Sequence, residues 1–217
     1  LVYHVVEHMM ERYGRSQVLK WKFCVWNSPD NPRINYSALQ RENYYRLYLS
    51  TWKVIKAIDE RFQVGTSALM SVNLLYPEWM DSFASFYQKQ HCEPDFVMMN
   101  LYTVDDTPQS IQRHQSDGIM QHRGAVYNVI RRILNNNEDC GWQVRAWYVA
   151  EWNFDLGWNN VLQDTMFYPA YIVKSMVDCW QTGIAFGVMD PLENLSEDQM
   201  IQGSFQGKRG IFTYDFI

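Results

Sequence analysis

Residues 22–66, KFCVWNSPDNPRINYSALQRENYYRLYLSTWKVIKAIDERFQVGT, read as a strand, a loop, a long helix and a second strand. The opening stretch, 22–27, is short, apolar and rich in β-prone side chains. Pro29 and Pro32 punctuate the loop over 28–37, since each lacks an N–H and fixes its own φ. Over 39–59, Tyr44, Leu47, Tyr48, Trp52, Ile55 and Ile58 recur at helical spacing. Residues 62–66 return to an apolar strand. A strand, a crossover helix and another strand form the unit from which parallel sheets are built.

The same rhythm extends in both directions. Residues 1–13 predict a helix with Val2, Val5, Val6, Met9, Met10 and Tyr13 on one face and Gly14 as its stop. Pro77 opens a helix to about residue 90, at the first-turn position that tolerates proline. A strand over 95–101 precedes a polar loop over 103–115. A helix over about 117–134 is closed by Asn135, Asn136 and Asn137. A strand over 143–151, a helix over 164–180 and a strand over 183–189 complete the pattern, and 190–210 is loop-like. Five strands, each apolar along its length and followed by a helix or long loop, predict a parallel sheet covered on both faces. Open doubly wound sheets and closed (β/α)8 barrels both fit. The absence of a glycine-rich turn after any strand weakens the first option.

Composition narrows the functional classes. With 47% hydrophobic and 20% charged residues, the 217-residue chain can bury a core, which excludes a disordered segment. A formal charge of −5 argues against direct nucleic-acid contact by this segment. The longest apolar runs, 96–99 and 184–188, fall far short of the roughly 20 residues a membrane helix needs. No signal-type leader is visible: Leu1 opens directly into the first helix, so the expectation is a segment of a longer protein. Cys24, Cys92, Cys140 and Cys179 form no CxxC pair and fit buried thiols in a reducing compartment. His4 and His8 share a helical face, but no carboxylate at a ligand spacing joins them. Neither a metal nor a cofactor is expected.

In a (β/α)8 barrel the functional residues stand at the carboxyl ends of the strands. Those ends are Trp26-Asn27-Ser28-Pro29-Asp30, Asn100-Leu101-Tyr102, Ala150-Glu151-Trp152-Asn153 and Val188-Met189-Asp190, with Glu193 shortly after. A strand that finishes in Glu151 places a carboxylate where a pocket would be. Spacing alone leaves a salt-bridged rim carboxylate equally open.

These residues carry a family resemblance. FCVWNSPD at 23–30 resembles the strand-four motif F-x-V-W-N-E-P-[DN] of clan A glycoside hydrolases. YVAEWN at 148–153 resembles their strand-seven motif, most closely in glycoside hydrolase family 39, the β-xylosidases and α-iduronidases. HMMERYG at 8–14, FQVGTSA at 62–68, PDFVMMNLY at 94–102 and DTMFYPAYIVK at 164–174 resemble further family segments in the same order. The resemblance implies an α/β fold, a (β/α)8 TIM barrel of which residues 1–217 supply about strands four to eight. The first three βα units and the final helix would then belong to the remaining barrel segment of the same protein.

The resemblance implies the site as well. Glu151 stands at the nucleophile position, and Ser28 stands where the family has its acid/base glutamate. Retaining glycosidases need both carboxyl groups, about 5 Å apart. A serine cannot protonate a glycosidic oxygen, and Asp30, two residues on and beyond Pro29, is a poor substitute. Asn27, Asn100, Tyr102, Trp152, Phe186 and Glu193 match positions that would contact the sugar, with Asn100 replacing a histidine, Phe186 a tryptophan, and Tyr102 placed to hydrogen-bond the nucleophile. The expected partner is a β-linked sugar such as xylose or a xylo-oligosaccharide, with no membrane contact. Three readings follow, one of them a structural or interaction module in which the pocket is vestigial. Another is a carbohydrate-binding, non-hydrolytic domain, the sugar-sensing part of a cytoplasmic AraC-type transcriptional regulator, which VWNSPD and GIFTYD resemble. The third is a retaining β-xylosidase or β-glycosidase whose acid/base has been replaced by Ser28.

Overall fold

A computed structural model describes residues 1–30, 38–75, 78–104, 125–139, 144, 146–155 and 166–189. Its elements, in chain order, are α1 (Val2–Tyr13), α2 (Arg15–Val18), β1 (Lys22–Cys24), α3 (Ala38–Ile58), β2 (Gln63–Gly65), β3 (Ala68–Met70) and α4 (Ser71–Leu74). They continue with α5 (Glu78–Gln90), β4 (Val97–Val104), α6 (Ala125–Asp139), β5 (Trp147–Asp155), α7 (Phe167–Thr182) and β6 (Ala185–Met189). β1 and β2 pair in parallel, Lys22 opposite Gln63 and Cys24 opposite Gly65. Asn27 makes an isolated parallel bridge to Ala68, and a second sheet runs in the order β3-β4-β5-β6. Parallel sheets with helical crossovers are what the alternating pattern predicts.

The chain divides into two compact units, Leu1–Met99 with Asn136–Tyr148, and Asn100–Asn135 with Val149–Ile217. In the first, α3 packs on α5 through an aromatic seam. Tyr44 and Tyr48 lie one turn apart on α3, and Trp79, Phe83 and Tyr87 repeat at the same interval on α5. The Tyr48 and Phe83 rings meet edge-on at 5.1 Å, and Tyr45 stacks on Phe86 at 4.8 Å. The face its periodicity predicts is largely the inward one: Tyr44, Tyr48 and Ile55 are buried and Trp52 and Ile58 half-buried, while Tyr45 joins them and Leu47 is 40% exposed. Large aromatic areas dominate the burial energy, so the tyrosines win the inward face from the smaller leucine.

Gly65 on β2 lies directly under Phe96, where an added Cβ would meet the ring's Cε2 at 2.1 Å. Asp59, just past α3, is held by two guanidiniums. Arg61 Nη2 donates to it at 2.7 Å and Arg15 Nη2 at 2.6 Å. The Arg61 backbone N–H donates to the same carboxylate, closing the turn that leads into β2. In the second unit, the α7 residue Asp178 accepts the Lys174 ammonium one turn earlier and the backbone N–H of Tyr127 on α6.

Several predicted bounds shift. Asn135, Asn136 and Asn137 lie inside α6 rather than closing it. The Asn136 amide donates to the Leu75 carbonyl at 2.9 Å and Asn137 is buried, so packing overrides their weak helix propensity. β4 continues to Val104, into the expected loop, and β5 starts later and runs on to Asp155. β1 ends at Cys24, with only the Asn27 bridge beyond it. β3 and the short helices α2 and α4 occupy stretches with no periodic signal. Cys92 and Cys179 are buried thiols, but Cys24 is exposed, its Sγ donating to the Thr66 carbonyl at 2.9 Å.

Candidate functional site

Ser28 follows a backbone in an uncommon conformation. Trp26 and Ser28 both have positive φ, 72° and 44°, on either side of Asn27. Non-glycine residues there carry roughly 1–3 kcal/mol of strain, which persists only where neighbours impose it. The imposing neighbour is β3. The Ser28 N–H donates to the Ala68 carbonyl at 2.9 Å, and the Met70 N–H donates to Asp30 Oδ2 at 2.9 Å. Ser28 Oγ lies 3.6 Å from Met70 Sδ and 3.5 Å from Asn27 Oδ1. Ser28 is 3% exposed. Its side chain is therefore packed, whereas Asn27 and Trp26 are exposed. One oxygen of Asp30 is committed to the β3 backbone, a structural duty that competes with any acid/base role.

The second group of site residues gathers on β4 and β5. Asn100 and Tyr102 are two positions apart on β4, so their side chains leave the same face. Both reach Glu151. The Tyr102 hydroxyl donates to Glu151 Oε2 at 3.2 Å, and the Glu151 backbone N–H donates to Asn100 Oδ1 at 3.2 Å. Asn100 and Tyr102 are 1% and 3% exposed, whereas Glu151 keeps partial exposure. The carboxylate is thus held from one side and accessible from another, which suits a group that meets a ligand.

The other candidates differ in surroundings. Trp152 is 1% exposed and packs. Asn153, at the same strand end, is fully buried: its Oδ1 accepts from the Tyr168 hydroxyl at 2.5 Å, and its carbonyl accepts from Tyr171 at 3.3 Å. Both tyrosines belong to the segment DTMFYPAYIVK and are one helical turn apart. Phe186 falls within β6, while its side chain, together with Asp190 and Glu193, lies outside the described residues. His4 is exposed, with its Nδ1 3.5 Å from Glu7. Among the described residues no group of three His, Cys, Asp or Glu side chains is placed to hold a metal, and no helix is long and apolar enough to cross a membrane.

Comparison with known proteins places this arrangement. A β-xylosidase of Geobacillus stearothermophilus is 34% identical over 183 residues, 80% of this chain and 34% of that protein. A β-xylosidase of Caldicellulosiruptor saccharolyticus is 25% identical over 178 residues, again 34% of its length. The chain thus spans about a third of the curated relatives it matches. Among solved structures, a monomeric β-xylosidase from Caulobacter crescentus CB15 superposes with a TM-score of 0.72 at 23% identity, covering 98% of this chain and 42% of that one. A GH39 enzyme from Xanthomonas axonopodis pv. citri gives 0.67 at 20% identity, covering 96% and 38%. These neighbours are barrel enzymes and share the fold. The family model for glycosyl hydrolases family 39 matches residues 1–215, and this chain belongs to that family.

Proposed function

We propose that this chain contributes to a sugar-binding site that does not hydrolyse its ligand, with Glu151 as the carboxylate that meets the sugar. The observation that carries this reading is the setting of Ser28. At the position that the family resemblance gives to the acid/base, a side chain without a carboxyl group is 3% exposed and lies against Met70. The ligand class is a β-linked pentose or short xylo-oligosaccharide, and the family resemblance gives Asn27 and Tyr102 as further sugar contacts. Residues 1–217 act as strands four to eight of a barrel completed by the rest of the protein, in the setting of an AraC-type transcriptional regulator.

Calorimetry and sugar analysis on the full natural chain test this. Xylose or xylobiose should bind saturably, and Asn27→Ala should weaken binding. No xylose should be released from xylobiose. Sustained release would overturn the reading, and a helix-turn-helix in the natural chain would support the regulator setting.

A second reading, a retaining β-xylosidase, is favoured by the Tyr102–Glu151 hydrogen bond and by 34% identity to a β-xylosidase. Retention requires a covalent glycosyl-enzyme, formed without acid assistance only when the leaving group is very good. A burst of dinitrophenol from a dinitrophenyl β-xyloside would therefore favour this second reading.

A further inference from the structure

We infer that Met70 is a second determinant of the missing acid/base: its thioether occupies the room that a glutamate at position 28 would need. This rests on the reading of Ser28 given above. Ala68 and Met70 leave β3 on the same face, and that face receives the 27–30 segment. Four contacts fasten the two together: the Asn27–Ala68 bridge, Ser28 N–H to Ala68 O at 2.9 Å, Met70 N–H to Asp30 Oδ2 at 2.9 Å, and Ser28 Oγ against Met70 Sδ at 3.6 Å. The backbones at both ends of the Ser28–Met70 contact are therefore fixed. The positive φ of Ser28 also sets the direction of its Cβ.

A glutamate is longer than serine by a methylene and a carboxyl group, and these would enter space the thioether already fills. Methionine adapts more readily than other core side chains. Here it is 3% exposed, so any movement is against packed neighbours rather than into solvent. A carboxylate pressed against a buried thioether would also lose hydration that the thioether, having no hydrogen to donate, does not replace. Serine at 28 and methionine at 70 are then one coupled arrangement, and reversing the first alone does not reopen the site.

The test is a double-mutant cycle in the full natural chain, read by thermal unfolding and by hydrolysis of nitrophenyl β-xyloside. Ser28→Glu alone should lower the melting temperature and leave hydrolysis at the natural level. Ser28→Glu with Met70→Ala should recover the melting temperature and raise hydrolysis by about 10²–10⁴, the usual worth of general acid/base assistance. Ser28→Gln has the same length without the charge, and repeats the steric arm if the glutamate variant does not fold. Equal melting temperature and equal activity in Ser28→Glu with and without Met70→Ala would overturn the inference. Recovery of the melting temperature without hydrolysis would support the packing role of Met70, and would count instead against Glu151 serving a hydrolytic site.

Discussion

The Tyr102 hydroxyl donates to Oε2 of Glu151 at 3.2 Å, from a strand neighbouring the one that carries the carboxylate. Asn100, on the same face of β4, takes the Glu151 backbone N–H, so side chain and main chain of one residue are held by the same strand. A carboxylate oriented in this way has already given up rotamer freedom on folding, which lowers the cost of ordering it again on binding.

Tyr102→Phe removes that donor while keeping the ring that fills the buried space. Under the sugar-binding reading, xylobiose affinity should fall by about tenfold, roughly 1.4 kcal/mol, with little change in melting temperature. Titration calorimetry of both proteins checks this. Unchanged affinity would place the sugar away from Glu151.

Gly65→Ala should destabilise the first unit. The new Cβ would stand 2.1 Å from Cε2 of Phe96, a ring with no exposed surface and therefore no free direction to swing. Overpacking of this kind costs about 1–3 kcal/mol, occasionally more. Urea denaturation should show a lower midpoint, and Phe96→Leu in the Gly65→Ala background should return part of the loss. Additive effects of the two substitutions would contradict the contact.

Asp59 makes stability depend on acid pH. Hydrogen bonds from Arg61, then Arg15, hold its carboxyl well below the usual carboxylate range. A group whose folded pKa is depressed contributes stability that is present above its unfolded value of about 3.9 and is lost as pH falls towards the folded value. Asp59→Asn should melt earlier than the natural chain at pH 7. The gap should narrow steadily below about pH 4. Both arginines are more than half exposed, so added salt should shrink the gap at neutral pH. A gap independent of pH would mean that shape rather than charge is what Asp59 supplies.

Tyr168→Phe should weaken the second unit, because it strips the donor from a fully buried Asn153 carbonyl oxygen. Loss of one buried hydrogen bond of this kind costs about 0.5–1.5 kcal/mol. Tyr171→Phe should cost less, its bond to the Asn153 backbone being longer at 3.3 Å and its ring only part-buried. Thermal unfolding of the two variants gives the order, and the reverse order would show that Asn153 depends mainly on α7 through its main chain.

What the sequence determined by itself was whatever repeats locally. Helical and strand periods depend on neighbours a few residues apart, and they located α1, α3, α5, α7 and the strands from β1 to β6 other than β3. An ordered set of short motifs singled out Ser28, Tyr102 and Glu151 as candidates before any geometry. Nothing in residues 68–70 marks a strand separate from β2, so β3 was silent in the sequence although it is the strand that grips Ser28 and Asp30. The extent of α6 was equally hidden, because a run of asparagines is helical there only through the Asn136 bond to Leu75, 61 residues away in the chain. Asn100 as the acceptor for Glu151, Met70 as the neighbour of Ser28 and Arg15 as the clamp on Asp59 are all contacts between distant residues. They follow from how the elements pack, and no local propensity encodes which distant side chain fills a given space.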